Sequence, residues 1–350
     1  MTKRWTQRPE GSNWGDWGDD DELGRINLLT PEKVLQGVRE VREGVTFSLS
    51  LPLDFPGGTV LNQRRYPPRL APTEDLEGNP DAFFNVPMSE MDPRYVDVWA
   101  DDVVTLSLQY STQWDSLAHV GAEFDADGDG VEEQVYYNGY RAGTDIVGPQ
   151  QDAAGDGCGH VSFGKHLGLE HMAAHGVQGR GVLVDLAHHL GHEWRGVDLQ
   201  TLQEIMDADD VVVEPGDMLL LHTGFATEIL GWNRDPDPTK VFTTCTYLDA
   251  RDGALLDWIA DSQISALVAD NYAVEGLFAP QADRNQSRHS FLPIHHLCLF
   301  KLGIPLGELW YLRELAAWLR EHDRSRFLLT APPLRLPGAM GGPLTPVATV

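Results

Sequence analysis

Cysteine is scarce in this sequence: the 350 residues hold three, Cys158, Cys245 and Cys298. Their odd number, their wide spacing and the lack of any CxxC pair exclude a disulfide framework and a structural zinc knuckle. Basic residues are also few, with 26 Lys and Arg against 53 Asp and Glu, a formal net charge of −27 at pH 7. That excess repels phosphate backbones and anionic lipid, so neither nucleic acid nor a membrane surface is an expected partner. No apolar run approaches the roughly 18 residues of a membrane span. The opening stretch MTKRWTQRPEGSNWGDWGDDDE has no apolar segment of the kind a signal peptide needs. The expected location is therefore the cytoplasm. A GxSxG elbow, a P-loop and a GxGxxG leading into a helix are missing as well, which leaves Ser-triad hydrolysis and nucleotide binding without support.

What is present suits one α/β domain over residues 1–350. Hydrophobic residues make up 42% of the chain, enough for an ordinary core. Residues 1–30 form an irregular arm whose tryptophans Trp5, Trp14 and Trp17 favour docking onto the body. Thr30-Pro31-Glu32 is a helix start, with Thr as N-cap and Pro in the first turn. Val45–Leu51 and Val103–Tyr110 alternate like half-buried strands, and residues 54–101 between them are rich in Pro, Gly, Asn and Asp. GVLVDLA from Gly181, DMLLLHT from Asp217 and ISALVA from Ile264 are compact runs typical of buried strands. Helical spacing recurs near 164–175, 198–207, 252–262, 291–302 and 313–322.

Four groups of residues carry candidate chemistry. In STQWDSLAH, Asp115 precedes His119 by four residues, just past the expected strand 103–110; such a pair serves as a metal ligand and a general base, or as a helix cap and a packed imidazole. In FLPIHHLCLFKLGIPLGELW, His296 falls early on a helix, and Glu308 falls among apolar residues on a returning strand. A carboxylate buried there needs a partner or a metal. In DADGDGVEE, Asp125, Asp127 and Asp129 alternate as in a calcium loop; Tyr136 stands where the closing Glu belongs, which leaves Glu132 or Glu133 as the substitute ligand. The alternative is a plain Asp/Gly turn. In AHHLGHEW, Gly191 interrupts any helix that would align His189 with His192, and a solvated loop is the favoured reading. His222 at the end of LLLHT is either near an active site or a satisfied core histidine.

Several stretches taken together resemble the cyclase family of metal-dependent hydrolases, which includes bacterial kynurenine formamidase, isatin hydrolase and trans-dienelactone hydrolase. They are NWGDWGDDDELGRINLLTPE, TQWDSLAHV, YYNGY, HGVQGRGVLVDLA, GDMLLLHTG, HHLCLFKLGIPLGELW and PLRLPGAMGGPLTPVA, in order over nearly the whole chain. The resemblance implies a swivelling β/β/α domain, a mixed sheet core with flanking helices, and a homodimer. The family signature HxGTHxDxPxH places its two early His on Gln109 and Gln113, its Asp on Asp115 and its last His on His119. It implies that His119 is the general acid/base, and that Asp115, His296 and Glu308 hold a metal, with Gln113 as an added oxygen. The two Gln are departures, since an amide oxygen holds zinc less well than imidazole.

The expected activity is a metal-dependent hydrolase acting on a small cyclic or aryl amide or on a lactone. One Mn²⁺ or Zn²⁺ would polarise the carbonyl and acidify a water, with His119 moving the proton. Calcium is expected, if anywhere, at the Asp125 loop. Gln109, Trp114, Trp17 and His222 are the expected substrate contacts. The rival readings are a metal-independent cyclase or dehydratase using Asp115 and His119, and a non-catalytic binding protein on the same scaffold.

Overall fold

The computed structural model describes residues 3–151, 160–277 and 288–350, so Cys158 lies outside the described residues. Its centre is a mixed sheet of nine strands. In chain order they are β1 (Thr46–Ser48), β2 (Gln113–Asp115), β3 (Gln178–Val184), β4 (Met218–Leu221), β5 (Ala266–Ala269), β6 (Leu306–Glu308), β7 (Arg326–Thr330), β8 (Gly341–Pro343) and β9 (Val347–Thr349). Across the sheet they run β1-β9-β7-β3-β4-β5-β6-β2-β8. Strands β3 to β6 are parallel, and the flanking pairs are antiparallel. The architecture is mixed α/β, with helices on both faces.

The apolar runs explain the middle of the sheet. QGRGVLV, MLLL and ALVA are covered on both sides, so they read as continuous hydrophobic segments rather than alternating ones. One face carries Val182, Leu219, Leu267 and Leu306; the other carries Leu183, Leu220, Val268 and Trp114. A buried ion cluster ties this core to the first helix, Pro31–Arg39. Asp217 accepts from Arg180 Nε at 2.8 Å and from Lys33 Nζ at 3.1 Å. A lone carboxylate at that depth is expensive, and two cations plus the Glu214 N–H satisfy it.

The N-terminal arm lies on the first of these faces. Trp14 is fully buried, donates from Nε1 to the Phe300 carbonyl at 2.8 Å and meets the Phe300 ring edge-on at 5.2 Å. Gly24 and Gly303 touch backbone to backbone, and a Cβ on Gly24 would fall 2.2 Å from the Gly303 carbonyl oxygen. Glu22 fixes the arm's end: it pairs with His166 at 2.9 Å and His171 at 3.0 Å, and accepts from the Leu167 N–H at 2.7 Å.

Two expectations about elements change. The strand expected over 103–110 is Asp102–Thr105, and it pairs with Arg69–Pro72 in a separate ribbon outside the core sheet. The core strand is the TQWD stretch itself, because Gln113–Asp115 is wholly buried whereas Asp102–Thr105 is wholly exposed. The helix expected over 164–175 begins at Leu169, after a strand, His160–Gly164. Between Leu61 and Tyr110 no hydrophobic side chain is buried, and Leu70, Met91, Val96 and Val98 stand exposed. No helix among the described residues is long and apolar enough to cross a membrane.

Burial opposes the charge on Glu22, but the hydrogen bonds from His171, His166 and the Leu167 N–H outweigh it and lower its pKa to about 2. A carboxylate with a depressed folded pKa stabilises above its ordinary value and loses that contribution as pH falls. Wild type should therefore lose stability between pH 4.5 and about 2 more steeply than Glu22→Gln. Denaturant midpoints across that window check this; equal slopes for the two proteins would remove Glu22 from the acid response.

Candidate active site and metal centre

The site forms where β6 meets β2. Their antiparallel register sets Glu308 opposite Gln113 and Leu306 opposite Asp115, while β8 places Gly341 on the other side of Asp115. Alternation along the strands puts Gln113, Asp115 and Glu308 on one face and Trp114 on the other. Trp114 packs edge-on against Trp310 at 5.0 Å and donates to the Ala331 carbonyl at 2.8 Å. It anchors the strand from behind and is not the substrate wall expected of it.

Gln113 bridges the two carboxylates. Its Nε2 donates to Asp115 Oδ1 and to Glu308 Oε2, each at 3.2 Å. Its Oε1 and Asp115 Oδ2 are both buried without a hydrogen-bond partner among the described residues. His119, in the turn after β2, lies with Nε2 3.8 Å from Asp115 Oδ2 and keeps 23% of its side chain exposed, which leaves a route for solvent.

The histidine that completes the cluster is His295, one residue before the one expected. His295 Nε2 is 3.3 Å from Glu308 Oε1. His296 turns away, with its ring against Phe300 at 5.0 Å. The cause is Glu275, which accepts from the backbone N–H groups of Ile294 and His295 and from His295 Nδ1 at 2.7 Å. This carboxylate locks both the start of the helical segment Pro293–His295 and the imidazole, in the way that outer-shell acids orient metal-ligating histidines. Asp115, His295 and Glu308 each present a ligand atom, all within 4.8 Å of one another.

The electrostatics are those of a cation site. Burial, with the Glu308 charge added, raises Asp115 to about 8. Burial opposes the charge on His295, but Glu275 and Glu308 outweigh it and raise that imidazole to about 10. Burial also opposes the charge on Glu308, and His295 holds it below the ordinary carboxylate range nonetheless. Burial, then the His295 charge, lowers His119 to about 4, so its imidazole is neutral at neutral pH.

The remaining expected residues distribute as follows. Gln109 borders the site: its Nε2 lies 2.7 Å from the point a Cβ on Gly341 would occupy, and Asp115 Oδ1 lies 3.2 Å from that same point. Trp17 sits half-buried in the arm's Gly15–Gly18 turn. His222 falls on the opposite face, with Leu183, Leu220 and Val268. There it bonds Asp185 at 2.7 Å, beside Asp270, which accepts from Thr223 and Gly224; it staples strand ends and does not line this site. His189 pairs with Asp209 and His192 with Glu228, the former on a short helix, Leu186–Leu190, where a loop was expected.

In the acidic loop, Asp125 accepts from the N–H groups of Gly128, Asp129 and Gly130. Asp125, Asp127 and Asp129 offer ligand atoms within 4.8 Å, while Glu133 pairs with Arg141 at 2.9 Å. Sequence reasoning missed Glu275 and Gly341. Glu275, an acid between Ala273-Val274 and Gly276-Leu277, was the more legible of the two.

Comparison with known proteins agrees with this architecture. A family described as "Putative cyclase" matches residues 47–276. A crystal structure described as a novel cyclase is 29% identical, with 97% of each chain covered and a TM-score of 0.70. Isatin hydrolase A from Labrenzia aggregata, solved with benzyl benzoate, is 13% identical over 91% of this chain and 97% of its own, with a TM-score of 0.52. Isatin hydrolase A from Ralstonia solanacearum is 12% identical over the same shares, with a TM-score of 0.53. These last two show likeness of fold. No curated protein matches.

Gly341→Ala should push a methyl into Gln109 Nε2 and the Trp114 carbonyl, both 2.7 Å from its position. The expected cost is about 1–3 kcal/mol of stability, read from urea unfolding. An unchanged midpoint would show that the seam between β2 and β8 can open without loss.

Proposed function

The chain belongs to the cyclase family, and on that footing we propose that it is a metal-dependent hydrolase of a small cyclic or aryl amide or of a lactone. The observation that carries this reading is the convergence of Asp115, His295 and Glu308 with the unpartnered atoms Asp115 Oδ2 and Gln113 Oε1. A donor set of one imidazole and two carboxylates, with the orphaned Asp115 Oδ2 among its atoms and an orphaned oxygen on neighbouring Gln113, fits one divalent transition metal such as Mn²⁺ or Zn²⁺. Such an ion supplies Lewis-acid polarisation of a carbonyl and a more acidic water. The isatin hydrolases that share the fold act on a cyclic amide, which supports the bond type.

The chain's own groups then divide the work. Glu275 holds His295 in one orientation. Gln113 spaces the two carboxylates. His119, neutral and beside Asp115, takes a proton from water and returns it to the leaving nitrogen or oxygen. Water's oxygen joins the acyl carbon, the C–N or C–O bond breaks, and a carboxylate and an amine or alcohol leave.

Two substitutions separate these roles. Asp115→Asn should lower metal content and activity together while circular dichroism stays native. His119→Asn should keep the metal and lose about 10²- to 10⁴-fold in rate on N-formyl anilines, lactones or cyclic amides. Hydrolysis that persists in metal-stripped protein would overturn the metal-dependent reading in favour of acid–base chemistry on Asp115 and His119.

Calcium is the ion proposed for Asp125, Asp127 and Asp129. Adding Ca²⁺ to metal-free protein should raise the melting temperature of wild type and not of Asp129→Asn. A melting curve indifferent to Ca²⁺ would leave the loop as a turn closed by Arg141.

A further inference from the structure

Arg65 lies near the buried carboxylates Asp115 and Glu308 and touches neither. In a chain of net charge −27 its guanidinium takes part in no ion pair among the described residues. Among the described residues its one hydrogen bond runs from Nη1 to the Gln109 carbonyl, at 2.7 Å. An arginine carries five N–H donors, so most of its fork is unspent. The side chain is half-buried and lies over the Tyr272 ring at 5.5 Å from the centroid.

Its position is built. Leu51, Phe55 and Leu61 sink the preceding loop into the core. The Tyr110 hydroxyl accepts from the Gly57 N–H and donates to the Gly58 carbonyl. Asn62 Nδ2 donates to the Tyr272 hydroxyl at 2.8 Å, and the Tyr66 N–H donates to Ser107 Oγ at 2.8 Å. Arg65 is thus held on both sides by anchors one to three residues away. The carbonyl it grips belongs to Gln109, whose side chain borders Asp115 at the Gly341 gap. Tyr272 follows Asn271, whose carbonyl accepts from the Leu309 N–H next to Glu308. The guanidinium therefore stands beside the site, and its charge acts on Asp115, His119 and Glu308.

We propose that Arg65 binds a carboxylate carried by the small molecule in this site, against the Tyr272 ring. The planar fork matches a carboxylate with two parallel N–H bonds, which an ammonium cannot do. The carboxylate comes either with the substrate or from the acyl group released by hydrolysis; the proposal rests on the hydrolase reading for the second source alone.

Calorimetric titration of metal-loaded protein with benzoate, with benzamide as the neutral control, tests the site directly. Benzoate should bind wild type, bind Arg65→Gln about 10- to 100-fold more weakly, and bind Arg65→Lys between the two, with metal content equal in all three. Benzamide should not distinguish them. Kinetics on N-formylanthranilate and formanilide then name the source. A raised KM in Arg65→Gln for the first substrate alone assigns the carboxylate to the substrate; unchanged KM values with weakened benzoate assign it to the product. Benzoate that fails to bind wild type, or binds Arg65→Gln equally, overturns the proposal. Weakened benzoate binding in a protein that hydrolyses nothing would retain Arg65 as an anion site and overturn the hydrolase reading instead.

Discussion

Two carboxylates, Asp115 and Glu308, are buried side by side in this protein, and the local structure is arranged around that cost. Like charges at such depth repel and lose their water at once. His295 offsets part of this from the Glu308 side, and the Gln113 amide offsets part from between them. Asp115 is left with one unpartnered oxygen and a strong preference for its proton. A divalent cation held by Asp115, His295 and Glu308 would relieve these strains together, with Asp115 ionised and His295 neutral as ligands.

The sheet makes such a site affordable by separating its faces. β2 is three residues long, and alternation assigns each side chain without ambiguity. Trp114 and Trp310 interlock behind the strand, and Gln113 and Asp115 face forward. A one-residue slip in register would exchange a tryptophan for two polar groups on each face, so the tryptophan pair specifies the register that the chemistry needs. Gly341 does the same from β8, where a side chain has no room.

Much of this was legible in the sequence. The buried strands β3, β4 and β5 followed from uninterrupted apolar runs; spacing left Asp115, His119 and Glu308 open between functional and plain structural roles, and the family resemblance was what grouped them as a site. The errors have physical causes. Val103 and Val104 look like a core strand but stand exposed on a ribbon, because alternation does not report which sheet a strand joins. The choice between His295 and His296 depended on Glu275, twenty residues earlier, gripping one turn of backbone. His222 carried a strand-end signal that was correct and a face that was not, since the parity of its strand aims it at Asp185.

The two glutamines that replace the expected early histidines gain a physical sense from this geometry. An imidazole at 113 would bring a lone pair and invite another cation between the carboxylates. The amide instead brings two N–H groups, and both are spent, one on Asp115 and one on Glu308. Gln109 meanwhile turns its Nε2 to the Gly341 gap beside Asp115 and lends its backbone carbonyl to Arg65. The two cationic groups near this site are thereby set apart, the His295 imidazolium inside the cluster and the Arg65 guanidinium beyond the Gln109 carbonyl. On the hydrolase reading proposed above, a cation held by that cluster and the guanidinium would hold a substrate at two points, and His119 would be the third point that distinguishes the two faces of its carbonyl.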